Sequence, residues 1–119
     1  MKASEVARIL NAEVVCGREY LNEIEVDWAF GADMMSDVLA FVCEKTLFLT
    51  GMLNAHAIRT AEIMDIRCIV FVRGKQVTGE IRGLAEERNM VILSTDKTLF
   101  TSCGMLYEAG LRGCPRKQP

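Results

Sequence analysis

Three short apolar runs, Leu47-Phe48-Leu49, Ile69-Val70-Phe71 and Val91-Ile92-Leu93, begin 22 residues apart and set the organisation of the chain. Each run is followed by a turn-like group and then by a stretch of amphipathic helical period. Unbroken apolar runs are typical of strands buried on both faces, and this spacing suits right-handed parallel crossovers. The repeat predicts an α/β fold: a three-layer sandwich with a mainly parallel sheet built from repeated βα units. A βα solenoid is the weaker alternative, because the three helices are dissimilar.

The sequence before the repeat adds further elements. Residues 4–11 have helical spacing, and Glu13–Cys16 are typical of a strand. Four apolar residues then alternate with polar or small ones, which predicts a strand with one buried face near an edge of the sheet: Ile24, Val26, Trp28 and Phe30. Ser36 is placed to cap a helix whose inner side carries Val38, Leu39, Val42 and Cys43.

Length and composition indicate one globular domain. The chain has 119 residues, of which 50% are hydrophobic and 25% charged, with a net charge of −2. This balance excludes intrinsic disorder, and it leaves no basic surface for nucleic acid or anionic membranes. No secretory signal or long apolar span is visible. We expect a single domain over residues 1–112 and a flexible tail over residues 113–119.

The five cysteines show no metal-binding pattern. Their number is odd, and no C-x-x-C pair or Cys/His cluster occurs. We therefore expect reduced thiols in a cytoplasmic protein, with no metal site and no cofactor. Four of the cysteines lie among apolar neighbours, whereas Cys114 lies in the proline-containing tail and is predicted to be the most reactive.

Polar and basic side chains follow the predicted strands, where a parallel sheet gathers its functional groups. An anion can bind there to cationic side chains and to helix amino termini. The candidate ligand-binding residues are Asn54, Arg73, Lys75, Ser94, Thr95 and Lys97. The alternative is that these residues only form turns and helix caps, as such residues do in any α/β protein.

No motif predicts catalysis. The P-loop pattern and G-x-G-x-x-G are absent, as is G-x-S-x-G. The single histidine, His56, lies at a predicted helix start and is best interpreted as a surface or packing residue. The sequence therefore predicts no catalytic residues.

Four stretches taken together resemble the DRTGG domain family: Gly31–Ala40, Leu47–Gly51, Ile69–Val72 and Ile92–Phe100. That family is related to the amino-terminal domain of HPr kinase/phosphorylase and occurs beside CBS domains. The resemblance covers about residues 1–112, although the Asp-Arg-Thr-Gly-Gly string itself is missing. It implies a bacterial or archaeal α/β domain with a regulatory or assembly role and no catalysis of its own.

We therefore expect a noncatalytic domain that binds a small anionic metabolite or nucleotide at the carboxyl edge of its sheet. The alternative is a phosphotransferase-type or thiol-dependent enzyme whose residues meet only in the fold. The pairs Met34-Met35 and Met52-Leu53 fall at predicted loops, and exposed apolar loops indicate a self-complementary patch. A homodimer through these loops is predicted, with a monomer as the alternative. A protein partner is also compatible with a regulatory domain.

Overall fold

The computed structural model describes residues 1–115, in which strands and helices alternate. The strands are β1 (Glu13–Cys16), β2 (Trp28–Gly31), β3 (Thr46–Thr50), β4 (Cys68–Phe71), β5 (Val91–Ser94) and β6 (Arg112–Gly113). The helices are α1 (Ala3–Leu10), α2 (Met35–Phe41), α3 (Ala55–Ile63), α4 (Gly79–Glu87) and α5 (Leu99–Glu108), with a 3₁₀ turn at Arg18–Tyr20. The three apolar runs are β3, β4 and β5, so the predicted α/β fold is confirmed. No helix within residues 1–115 is long and apolar enough to cross a membrane.

The strand order explains why helices cover both faces of the sheet. The order is β1-β5-β4-β3-β2-β6, and only β1 is antiparallel to its neighbour. From β2 to β5 the chain advances one strand at a time, so crossovers of the same hand place α2, α3 and α4 on one face. After β5 the direction reverses, because α5 leads back across the sheet to β6 beside β2. This return puts α5 next to α1 on the opposite face.

Two hydrophobic cores result, one on each face. Successive side chains of a strand point to opposite faces, so Phe48 of β3 lies in the core beneath α2, α3 and α4. Its neighbours Leu47 and Leu49 lie in the core beneath α1 and α5. All five residues of β3 are buried, which is the reason its sequence lacks alternation.

The prediction of one continuous strand over residues 24–30 is wrong. Ile24 and Val26 are buried beneath α1 and α5, but they precede β2, which begins at Trp28. The amino-terminal segment holds them: the Val26 amide donates to the Met1 carbonyl at 2.8 Å, and Lys2 forms a bridge with Glu25. Pairing with the chain terminus therefore replaces pairing with the sheet.

Helix α2 also begins earlier than predicted. Its N-cap is Met34 and its first residue is Met35, so Ser36 lies inside the first turn and does not cap the helix. Met35 and Val38 are buried, whereas Leu39 is 47% exposed. The helix ends at Phe41, and Val42 and Cys43 follow it. Packing of Met35 against the core decides the start of the helix.

Residues 113–115 of the predicted tail lie within the described part of the chain. Gly113 belongs to β6 and pairs with Ala29, and Cys114 makes hydrogen bonds described below. The rest of the predicted tail, residues 116–119, lies outside the described residues.

Candidate functional site

A cleft opens at the carboxyl ends of β4 and β5. The connection after β4 leads to α4 on one face of the sheet, whereas the connection after β5 leads to α5 on the other. In parallel sheets a crevice forms where neighbouring connections diverge in this way, and ligands commonly bind in it. The antiparallel strand β1 brings its first residue, Glu13, beside Ser94 at the same edge.

The two diverging loops are fastened to each other by their backbones. Arg73 and Gly74 both have left-handed backbone, with φ of 68° and 65°. This turn lets the Arg73 amide donate to the Lys97 carbonyl at 2.8 Å and the Gly74 amide donate to the Thr95 carbonyl at 2.9 Å. A non-glycine residue at positive φ is uncommon, and such conformations cluster at binding sites. These backbone bonds hold the two loops together beside the cleft.

The cleft has a volume of about 580 Å³, within the range of small-molecule sites. Its walls are contributed by the start of β1, the loop after β4, α4 and the end of β5. The lining residues are Asn11, Glu13, Val15, Gly74, Lys75, Gln76, Val77, Arg82, Ser94 and Asp96. Two cations, Lys75 and Arg82, thus share the cleft with two carboxylates, Glu13 and Asp96.

Two of the six predicted binding residues, Lys75 and Ser94, line this cleft. The Lys75 ammonium donates one hydrogen bond to the Gly51 carbonyl at 2.7 Å, which leaves two of its three protons for other acceptors. The Ser94 hydroxyl donates to the Lys75 carbonyl at 3.3 Å. The Lys75 ammonium is thus bonded to the loop after β3, and the Ser94 hydroxyl is bonded to the loop after β4.

The other four predicted residues make structural contacts around the cleft. Asn54 caps α3 by accepting the Ala57 amide proton at 2.9 Å, and an Arg73 Nη donates to the Gly51 carbonyl at 3.3 Å. Thr95 is buried. Its hydroxyl and the Lys97 ammonium both donate to the Leu10 carbonyl, at 3.2 and 2.9 Å. These bonds tie the carboxyl edge of the sheet to the end of α1.

Three charged residues of the cleft, Arg82, Glu13 and Asp96, are not among the six candidate ligand-binding residues. Arg82 lies on α4 and pairs with Glu86 at 2.9 Å, a spacing typical of a solvated helix face. Glu13 begins β1, and Asp96 sits beside Gly74. No sequence spacing relates these residues, because β1, α4 and the β5 loop meet only through the sheet. A smaller cleft of about 340 Å³, which includes Tyr20, shares Val15 and Arg82 with the first.

Comparison with known families identifies the chain. The family model of the DRTGG domain matches residues 5–109. The chain belongs to the DRTGG domain family. This confirms the family predicted from the sequence, whereas the similarity to the HPr kinase/phosphorylase domain stays a prediction. No curated protein matches this DRTGG domain in sequence.

A solved structure shares the fold of this DRTGG domain. It is the regulatory region of Clostridium perfringens pyrophosphatase, with CBS and DRTGG domains, in complex with the activator diadenosine tetraphosphate. The TM-score is 0.70 at 17% identity, and the match covers 88% of this chain and 45% of that one. The chain thus spans less than half the length of this relative, and the likeness establishes a common fold.

Proposed function

We propose that this DRTGG domain is a noncatalytic regulatory domain that senses a small anionic metabolite or nucleotide in the cleft between β4 and β5. The observation that carries the proposal is that Lys75, Arg82 and Ser94 all line the cleft where the connections after β4 and β5 diverge, beside two loops joined by backbone hydrogen bonds. The pyrophosphatase region, part of which has the same fold, is regulatory and was crystallised with a nucleotide activator. This supports a ligand of the same class for the present domain.

The charges of the cleft favour a nucleotide over a simple anion. Lys75 and Arg82 suit phosphate oxygens, since both side chains donate charge-assisted hydrogen bonds. Glu13 and Asp96 would repel a ligand that is anionic throughout, but they can accept hydrogen bonds from hydroxyl or amino groups. A phosphate joined to a sugar or base satisfies both pairs. The volume of about 580 Å³ accommodates a ligand of that size.

The bonding of the edge residues supports a sensing role over catalysis. The polar atoms of Lys75, Thr95 and Lys97 are bonded to backbone carbonyls and form no nucleophile-base pair with one another. The competing function is a phosphotransferase-type or thiol-dependent enzyme. Incubation with labelled ATP and a serine-containing protein substrate tests the kinase version. Transfer of label by purified protein would contradict the regulatory proposal.

A thermal-shift screen tests the ligand site. Nucleotides, diadenosine polyphosphates, sugar phosphates and acetyl phosphate are the probes, each at increasing concentration. A ligand that binds only the folded state at 100 times its Kd adds about 2.7 kcal/mol to the free energy of unfolding. For a domain of this size that gain raises Tm by roughly 10 °C. No shift with any probe would refute the proposal.

Two variants and a control locate the binding. Arg82→Ala removes an exposed guanidinium of the cleft, and Lys75→Gln removes a charge while keeping a hydrogen-bond donor. Both are expected to reduce the shift. Arg59→Ala removes an exposed arginine of α3 outside the cleft and should leave the shift unchanged. Equal shifts in all three variants would place the ligand elsewhere.

We also propose that the domain forms a homodimer through an apolar surface beside α2. Of the two predicted loop pairs, Met34 and Met52 are 64% and 40% exposed, whereas Met35 is buried and Leu53 packs against the core. Met34 and Phe41 lie seven residues apart, on one side of α2. Phe41 is 60% exposed. Its ring packs against that of Phe30 in β2, with the two ring centroids 6.3 Å apart. Exposed aromatic and methionine side chains beside a sheet edge suit a self-complementary interface.

Sedimentation equilibrium distinguishes the dimer from a monomer of 13.3 kDa. Phe41→Asp and Met34→Asp should shift the protein to the monomer while the circular dichroism spectrum stays native. Ile63→Asp, at a 71% exposed position of α3, serves as the matched control and should leave the dimer intact. A wild-type monomer at tens of micromolar would rule out the dimer.

A further inference from the structure

Two cysteine side chains converge at the start of β3. Cys43 lies in the loop between α2 and β3, and Cys114 directly follows β6, 71 residues later. The Cys43 amide donates to the Cys114 sulfur at 3.3 Å. The hydroxyl oxygen of Thr46 lies 3.2 Å from the Cys114 sulfur and 3.8 Å from the Cys43 sulfur. Both sulfurs therefore lie within 4 Å of the same atom, the Thr46 hydroxyl oxygen.

The hydrogen bonds of Thr46 orient both thiols toward that oxygen. The Thr46 hydroxyl donates its own proton to the Cys43 carbonyl at 2.7 Å, so its oxygen is an acceptor for the thiols. The Cys43 amide bond to the Cys114 sulfur holds that sulfur at the same oxygen. This arrangement holds the two sulfurs side by side without a covalent bond.

The pair differs from the core cysteines in its access to solvent. Cys16 and Cys68 are buried, whereas Cys43 and Cys114 are both partly exposed. Cysteines that sense oxidants are accessible to solvent, and they often lie next to a second thiol that resolves the first oxidation product. Cys103 is partly exposed as well, but no cysteine lies among its hydrogen-bond partners in residues 1–115.

We propose that Cys43 and Cys114 form a peroxide-sensitive thiol pair that closes to an intramolecular disulfide. The Cys114 thiolate attacks one oxygen of the peroxide, the O–O bond breaks, and Cys114 becomes a sulfenic acid. The other oxygen leaves as hydroxide, which takes up the proton released by the Cys114 thiol to give water. The Cys43 sulfur then attacks the Cys114 sulfur, the S–O bond breaks, and a second water leaves. The two thiols lose two electrons and two protons, and hydrogen peroxide is reduced to two waters.

The order of the two steps follows from the environment of Cys43. Burial, and then the side-chain hydrogen bond with Cys114, raise the pKa of the Cys43 thiol. Cys43 is thereby disfavoured as the first nucleophile and acts as the resolving thiol. Cys114 is the residue that the sequence predicts to be the most reactive.

The disulfide would fasten the edge of the sheet. β6 has only two residues, which pair with Trp28 and Ala29 of β2. A bond from Cys114 to Cys43 ties the end of β6 to the loop that leads into β3. Backbone amides of Arg112 and Gly113 should then open less often, since their strand is closed into a covalent loop.

Peptide mapping by mass spectrometry tests the pairing. The full chain is reduced, treated with equimolar hydrogen peroxide at low protein concentration, and digested without reductant. We expect a Cys43–Cys114 peptide lighter by two hydrogen atoms than the two thiol peptides together, and its loss on addition of dithiothreitol. Hydrogen exchange at Gly113 should slow at least several-fold in the oxidised protein. A disulfide between two chains, a different pairing, or five free thiols after treatment would overturn the proposal.

Three variants separate the two roles. Cys43→Ser should leave Cys114 as a sulfenic acid that dimedone traps, whereas Cys114→Ser should give neither disulfide nor adduct at Cys43. Cys103→Ser is the matched control and should form the disulfide like the wild type. Thermal unfolding of each reduced variant confirms that it folds. Equal dimedone labelling at Cys43 and Cys114 in the two single variants would contradict the assigned order.

Discussion

Alkaline titration of Cys68 measures how well the centre of the sheet excludes water. Cys68 begins β4 and is completely buried in the core beneath α1 and α5. Burial alone raises the pKa of this thiol from 9.0 to about 12, because the thiolate loses its hydration. The neutral thiol is therefore the form that the folded state prefers.

The raised pKa makes stability fall at high pH. Below the pKa of the unfolded chain the contribution of Cys68 is fully present, and it is lost as the pH rises from 9.0 toward about 12. Each unit of difference between the folded and unfolded pKa corresponds to about 1.4 kcal/mol in the free energy of unfolding. Between roughly pH 8 and pH 11 this single thiol should lower the free energy of unfolding by about 3 kcal/mol.

Urea unfolding of the wild type and Cys68→Ala in reductant, at one-unit steps over that range, tests the value. The cavity left by alanine costs stability equally at every pH, so it appears as a constant offset. The wild-type curve should fall toward the variant curve as the pH rises. Cys103→Ala, at a partly exposed thiol, should change the slope less. Parallel curves for wild type and Cys68→Ala would refute the reasoning, since water would then reach β4.

Three further predictions concern the backbone and helix caps, each measured by urea unfolding at neutral pH. Gly17→Ala should destabilise the fold by more than about 2 kcal/mol, because Gly17 has φ of 83° and an added Cβ would collide with the Met90 carbonyl; an unchanged midpoint would contradict the geometry. Gly83→Ala, in open space within α4, should stabilise by about 0.5–1 kcal/mol, and a loss of stability would count against it. Asn54→Ala should cost about 1 kcal/mol through the lost cap of α3, whereas Asn54→Asp should retain the cap. If Asn54→Asp also retains ligand binding, Asn54 is a cap rather than a ligand contact.

The repeated βα organisation could be predicted from the sequence because its signal is local. The runs at β3, β4 and β5 are apolar at consecutive positions, which only burial on both faces of a sheet explains. The family match over residues 5–109 includes all three runs. Lys75 and Ser94 could be predicted to lie at this edge because they fall in or beside the loops that follow β4 and β5, where a parallel sheet gathers its polar groups; a binding role for them stays a prediction.

Contacts between distant segments were decided by the tertiary structure alone. The alternation at residues 24–30 has the period of a strand, but Ile24 and Val26 are held by the amino terminus. Met1 and Val26, which are in contact, are 25 residues apart in the sequence. Likewise, Arg82 and Glu13 reach the cleft only because β1 pairs with β5 and α4 packs beside them. Cys43 and Cys114 meet because β6 returns to the edge of β2. The local spacing of apolar residues predicts whether a segment is a helix or a strand, whereas the order of strands in the sheet determines which distant side chains meet.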